Sequence, residues 1–202
     1  MHSVLLEGQS GSGKTSLAAW MALKCDFPYI KLISPDNYVG YTESGKINSI
    51  VKVFDDAYRS SFACIVLDDI ERLIEFVDMG PRFSNSILQA LLVLIKRLPK
   101  KSENKILIIG TTSCAKLLKD LEVTNSFNLA INVPVLNSRE EILEILNKYP
   151  GDSKQKMEIA GKIDGVSIKK LILILDMATH GENLLTKDEF FNCYDAVMNS
   201  NI

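Results

Sequence analysis

Val4-Leu5-Leu6-Glu7-Gly8-Gln9-Ser10-Gly11-Ser12-Gly13-Lys14-Thr15-Ser16-Leu17-Ala18-Ala19-Trp20 decides how this chain is read. A short apolar run with strand character, Val4–Glu7, feeds a segment matching G-x-x-x-x-G-K-[ST] without a gap, and a helical pattern follows at once. Glycines let the backbone turn so that successive N–H groups point inward, and the helix start adds a dipole favourable to anions. The strand–loop–helix order is what binding of phosphate requires, and it predicts that Gly8, Gln9, Ser10, Gly11, Ser12, Gly13, Lys14, Thr15 and Ser16 cradle a nucleoside triphosphate. Lys14 is expected to reach the β- and γ-phosphates, and the Thr15 hydroxyl to ligate Mg²⁺.

Outward from the loop, β-rich runs alternate with helical ones, the pattern of a parallel sheet wrapped by helices. Val4–Glu7, Tyr29–Ile33, Phe62–Leu67, Lys105–Ile109 and Leu129–Val133 read as strands. Helices are expected near 14–24, 44–59, 84–98 and 114–121, the third showing Ile87, Leu88, Leu91, Leu92 and Ile95 on one face. From Asn137 strand signals stop. Ser138-Arg-Glu-Glu141 and Thr186-Lys-Asp-Glu189 read as capping boxes, and Ser167 as a further cap. The chain therefore divides into an α/β nucleotide-binding core, 1–136, and a small all-helical subdomain, 137–202.

A second chemical signal is Ala63-Cys64-Ile65-Val66-Leu67-Asp68-Asp69, a hydrophobic strand ending in two acids. Asp68 fits the carboxylate on the Mg²⁺ side, and Asp69 the base that polarises the attacking water. Asp69 is one methylene shorter than a Glu at that place, which sets its carboxylate about 1.5 Å back. Catalysis by positioning is sensitive to shifts of about 1 Å, so slow turnover is expected.

These residues resemble the AAA+ ATPases, and among them the second ATPase domain of the vesicle-fusing branch. The resemblance is carried by Ser34-Pro-Asp36, Phe54-Asp-Asp-Ala-Tyr58, Asp68-Asp-Ile-Glu-Arg72, Gly80-Pro-Arg-Phe-Ser-Asn85, Leu88–Leu94 and Ile108-Ile-Gly-Thr-Thr-Ser113. It is densest from 4 to 113 and thinner in the helical tail. It implies a five-stranded sheet in order 5-1-4-3-2 with a helical lid, ATP and Mg²⁺ as cofactors, and a homo-hexameric ring. It further implies that the full-length protein works with SNAP adaptors on SNARE complexes in vesicle transport.

Carried onto this chain, the resemblance makes Ser113 the polar sensor where Asn is usual. The stretch Leu121–Val133 has neither Arg nor Lys, so the arginine finger expected near the fifth strand is missing. Such a finger is worth about 10³–10⁵ in rate where it operates. Together with Asp69 and Ser113, this predicts a domain that mainly binds ATP and promotes hexamer assembly, with slow hydrolysis. The basic cluster Lys96, Arg97, Lys100, Lys101 and Lys105 reads either as a solvated helix end or as charges reaching a neighbouring subunit's nucleotide. Lys169 reads either as a second sensor approaching phosphate or as a surface residue. Tyr38-Val39-Gly40 matches the aromatic loop with which AAA+ unfoldases grip polypeptide; Tyr41 is an equal candidate for the exposed ring. An active motor remodelling protein substrates through a Tyr38-bearing pore loop is the alternative reading. A nucleotide kinase finds no acceptor-site motif.

Composition narrows the field further. With 202 residues, 47% hydrophobic and 24% charged, the chain can bury a core and is neither disordered nor repetitive. Lys and Arg number 23 against 25 Asp and Glu, a net charge of −2, so no basic field points to nucleic acid. Leu91–Ile95 and Leu171–Leu175, the longest apolar runs, fall far short of the roughly 20 residues of a membrane span. Cys25, Cys64, Cys114 and Cys193 form no C-x-x-C pair and read as reduced, core-filling thiols, which suits a cytoplasmic protein. The start, Met1-His2-Ser3 running directly into a strand, suggests a domain cut from a longer chain.

Overall fold

The computed structural model describes residues 2–80, 82–98, 104–180 and 184–199; Lys100 and Lys101 of the basic cluster lie outside them. Its contacts divide into two compact units, residues 1–8 with 14–133 and residues 9–13 with 134–202.

The first unit holds β1 (His2–Glu7), α1 (Lys14–Lys24), β2 (Tyr29–Ile33), α2 (Glu43–Arg59), β3 (Phe62–Leu67), α3 (Ile70–Leu73), α4 (Asn85–Lys96), β4 (Lys105–Thr112), α5 (Ala115–Asp120) and β5 (Leu129–Asn132). All five strands are parallel, in order β2-β3-β4-β1-β5, the expected 5-1-4-3-2 read from the other edge. Side chains alternate across the strands, so each strand serves two apolar layers. Leu5, Ile33, Ile65, Leu67, Ile106 and Ile108 meet Phe54 of α2 and Ile87, Leu91 and Ile95 of α4. Leu6, Cys64, Val66 and Ile109 face Ala18 and Ala22 of α1 on the other side. The small alanines let α1 lie close to the sheet, which brings the start of that helix up to the strand ends.

One strand runs further than its sequence suggests. The fourth strand is expected to end at Ile109, yet β4 continues through Thr112, with Gly110 opposite Leu5 and Leu67. The glycine is needed for space: a Cβ there would lie 2.7 Å from Phe127 Cζ, 2.9 Å from Ile70 Cδ1 and 3.0 Å from Leu5 Cδ1. Hydrophobic neighbours, and no turn, account for it.

The second unit carries α6 (Arg139–Leu146), α7 (Ser153–Ala160), α8 (Ile168–Thr179) and α9 (Lys187–Asn199) around Ile142, Leu146, Ile159, Leu171, Ile174, Leu175 and Phe190. Its caps follow the sequence. The Ser138 Oγ accepts from the Glu141 N–H at 3.2 Å while the Glu141 carboxylate accepts from the Ser138 N–H at 3.3 Å. Ser167 accepts from the Lys170 N–H at 3.4 Å, and Thr186 from the Glu189 N–H at 3.4 Å. Each such cap satisfies an N–H that the first helical turn leaves open. Among the described residues, no helix is long and apolar enough to cross a membrane.

Candidate functional site

Because β1, β3 and β4 are parallel neighbours, their carboxyl ends meet at one rim, the place where open α/β sheets bind ligands. β1 delivers Gly8 there, β3 delivers Asp68 and Asp69, and β4 delivers Thr111, Thr112 and Ser113.

Thr111 is the hub. Its hydroxyl donates to Asp68 Oδ1 at 2.7 Å and accepts the Asp69 N–H at 2.9 Å. The same Asp68 oxygen accepts from Thr15 Oγ1 at 2.8 Å, so the first turn of α1 is tied to the end of β3 through one carboxylate. The two groups read from the sequence as Mg²⁺-side ligands are thus neighbours.

Lys14 is 5% exposed and donates to the Gly8 carbonyl at 2.9 Å. Burial pushes its pKa down, while the carboxylates of Glu71, Asp69 and Asp68 pull the other way. Asp69 adopts φ 49°, ψ 62°, a left-handed conformation that Asp tolerates better than most residues. Burial, then the neighbouring Asp68 and Glu71, push its carboxyl above the ordinary range; Arg72 and Lys14 oppose the shift. The Arg72 Nε lies 3.9 Å from Asp69 Oδ2, a loose and mostly solvated pair.

The loop itself has the shape its glycines predict. Gly11 and Gly13 have φ of +80° and +95°, where side chains are strained. Within the second unit, the Gly11 carbonyl accepts from the Lys169 N–H at 3.1 Å, and a Cβ on Gly11 would lie 3.0 Å from Ser167 Oγ. Lys169 therefore meets the loop through its backbone, and its side chain is exposed. Ser12 is 1% exposed, and its hydroxyl is buried without a hydrogen-bond partner. An orphaned hydroxyl in a glycine-formed cradle is a fit for an anion's oxygen. Among the described residues, no three His, Cys, Asp or Glu side chains could hold a metal by themselves. A Mg²⁺ here would draw on Thr15, Asp68, water and phosphate oxygens, the mixed set this ion prefers.

Two residues of this rim escape motif reading. Glu71, 7% exposed, accepts from Thr112 Oγ1 and from the Ser113 N–H, each at 2.8 Å. Thr111 and Glu71 both stand inside quoted stretches, but nothing in a sequence says which hydroxyl or acid turns inward.

The expectations for Tyr38 and for the cysteines are corrected. Tyr38 is 8% exposed, its ring 5.7 Å edge-on from that of Tyr41 with the Lys46 ammonium 5.9 Å away, so it is core and unable to grip a substrate. The exposed apolar side chains of that loop are Val39 at 82% and Tyr41 at 56%. Of the cysteines only Cys64 is core, its thiol pushed up to about 12 by burial; Cys25 is exposed, and Cys114 and Cys193 are half-buried. Lys96 and Lys105 are exposed. Lys105 opens β4, and the seven steps to Thr112 put it about 23 Å from the phosphate rim. In a single chain it takes no part in the site.

Comparison with known proteins agrees with this geometry. Residues 4–135 match the ATPase family associated with various cellular activities (AAA). The chain is 46% identical over 180 residues to a vesicle-fusing ATPase of Arabidopsis thaliana, covering 89% of this chain and 24% of that protein. It is 42% identical over 196 residues to a vesicle-fusing ATPase of Dictyostelium discoideum, covering 96% of this chain and 26% of the relative. For the vesicular-fusion protein SEC18 of Saccharomyces cerevisiae the identity is 37% over 188 residues, 90% of this chain and 25% of the relative. The chain thus spans about a quarter of the length of these relatives. With a glycine cradle, a buried loop lysine and a Thr15–Asp68–Thr111 chain on a five-stranded parallel sheet, it belongs to the AAA family of ATPases.

Proposed function

We propose that this chain is an ATP-binding, ring-forming AAA module of a vesicle-fusing ATPase, acting in the cytoplasm. ATP with Mg²⁺ occupies the loop, and the module promotes a homo-hexamer. Within the full-length protein, that ring supports SNAP-dependent disassembly of SNARE complexes. The observation carrying the reading is the bonded chain from Thr15 through Asp68 to Thr111, which ties the start of α1 to the ends of β3 and β4.

In this reading Gly11, Ser12 and Gly13 present N–H and hydroxyl groups to phosphate, and Lys14 leaves the Gly8 carbonyl for the outer phosphates. Thr15 and Asp68 hold the metal, whose contribution is to neutralise charge on the phosphates. Asp69 accepts a hydrogen bond from the attacking water. Its short side chain, the Ser113 sensor and the missing arginine keep turnover slow.

Sedimentation of the purified chain with and without ATP·Mg²⁺, alongside Lys14→Ala, tests this. ATP should drive assembly of the parent chain, and Lys14→Ala should lose both ATP binding and assembly. A Lys14→Ala ring of normal stability would sink the idea that ATP holds subunits together. Turnover in the 1–10³ s⁻¹ range of ordinary enzymes, abolished by Asp69→Asn, would favour a motor instead. For that alternative the exposed Val39 and Tyr41 offer a gripping surface.

A further inference from the structure

We infer that Thr111 is a positioning residue: it holds Asp69 in a left-handed turn and so keeps the Asp69 carboxylate off the helix that Asp69 heads. The inference rests on the reading above, with Asp69 as the base, and extends it.

Asp69 stands at the N-cap of α3, where aspartate ordinarily turns back and accepts an N–H of the first turn. Here its side chain makes no such bond. Its φ of 49° and ψ of 62° lie far from the extended backbone of a capping residue. The first turn is served by main chain instead: the Asp69 carbonyl accepts the Arg72 N–H at 2.9 Å and the Leu73 N–H at 3.0 Å. Among the described residues, the carboxylate keeps one ion pair, the 3.9 Å contact with Arg72 Nε. An aspartate held out of its favoured local bond, in a sparsely populated backbone region, needs a constraint from outside its own helix.

The Thr111 hydroxyl is that constraint. Thr111 is wholly buried in β4, opposite Leu6 of β1. A hydroxyl has one proton, and an ionised carboxylate can only accept. The proton therefore goes to Asp68 Oδ1 at 2.7 Å, which leaves a lone pair for the Asp69 N–H at 2.9 Å. Donation to a charged oxygen also strengthens the hydroxyl as an acceptor. Thr15 Oγ1 holds the same Asp68 oxygen at 2.8 Å, so the hydroxyl's direction is set from α1 as well as from β3. With the N–H and carbonyl of Asp69 both bonded, its side chain alone is left uncommitted, as a base for water requires. Without the hydroxyl, Asp69 relaxes to extended backbone and its carboxylate caps α3.

Two measurements on the parent chain, Thr111→Val and Thr111→Ser test this: the backbone carbon shifts of Asp69, which follow φ and ψ, and single-turnover ATP hydrolysis. Hydrolysis is read with each variant saturated in ATP and Mg²⁺, which removes any weakening of metal binding through Asp68. In Thr111→Val the Asp69 shifts should move to extended values, and the rate should fall about 10²-fold, as expected of a misplacement near 1 Å. Thr111→Ser keeps the hydroxyl and should leave the shifts in place and the rate within about threefold of the parent. Thr111→Ala stands in should the valine variant not fold. Asp69 shifts unchanged without the hydroxyl, a saturated rate within about twofold of the parent, or a serine variant as slow as the valine one overturns the inference. Parent-like hydrolysis by Asp69→Asn instead overturns the reading of Asp69 as the base, and this inference with it.

Discussion

The two ends of the parallel sheet are built differently, although the same strands make both. At the amino end, β1 and β5 are joined by a neutral clasp: Asn128 Oδ1 accepts from the Ser3 N–H at 2.8 Å and from the Ser3 hydroxyl at 3.0 Å. At the carboxyl end, one lysine, Lys14, faces three carboxylates, Asp68, Asp69 and Glu71, with Arg72 no nearer than 3.9 Å to Asp69. The first arrangement is electrically complete and asks for nothing. The second carries an excess of negative charge, which suits a divalent cation. Function resides where local charge is left for a ligand to balance.

The largest way to break the carboxyl end is to crowd it from below. Gly110→Val would place atoms against Phe127, Ile70 and Leu5, where even a Cβ comes within 3.0 Å. Overpacking of this kind costs about 3 kcal/mol, and Ile70 is the first residue after Asp69. Urea unfolding should show the loss, and nucleotide binding should fall with it. An unchanged midpoint would mean that this rim can yield more than its packing implies. Next comes Thr111→Val, similar in volume and wholly buried, which removes a donor to Asp68 and an acceptor for the Asp69 N–H. The Asp69 N–H is then left without its acceptor and Asp68 keeps only the bond from Thr15, which should destabilise the chain by about 2 kcal/mol. Mg²⁺-dependent ATP affinity should drop further than Mg²⁺-free affinity, because Asp68 loses the bond that aims it.

How much of this was legible beforehand follows from what each signal depends on. The loop, the five strands, their order and the Ser138, Ser167 and Thr186 caps were readable, because each is local chemistry or comes with a family resemblance. Asp68 was readable because a strand ending in an acid is a local event. Thr111 and Glu71 were not, since their roles arise from which way β4 and α3 face each other. The continuation of β4 past Ile109 was missed for the same reason: Gly110 answers to the nearness of Phe127, 17 positions away in sequence. Tyr38 was misplaced because Y-V-G describes a loop without saying which of its rings is covered. Here Lys46, paired with Glu75 at 3.2 Å, lies beside the Tyr38 ring and leaves Tyr41 outside.

At the amino end the expected effects are smaller. Asn128→Ala removes the clasp on Ser3, which is 2% exposed, and should cost about 1 kcal/mol in unfolding while leaving ATP affinity alone. A matching loss of ATP affinity would mean that the two ends are coupled through β1.

Lys96→Ala and Lys105→Ala make the most discriminating pair, because the expected effect within one chain is nil. Both side chains are exposed, and Lys105 lies about 23 Å from the rim by the rise of β4. Nucleotide affinity measured at concentrations where the chain is monomeric should therefore stay within about twofold of the parent. If these lysines meet a neighbouring subunit's nucleotide, ATP-dependent assembly should weaken and salt should weaken it further, as expected for charges working across a solvated gap. Unchanged assembly in both variants would leave them as solvated ends of α4 and β4, and the joining of subunits would have to rest on other contacts. The amino end would then be structural alone, and the contrast between the ends would stand within each subunit without extending across the ring.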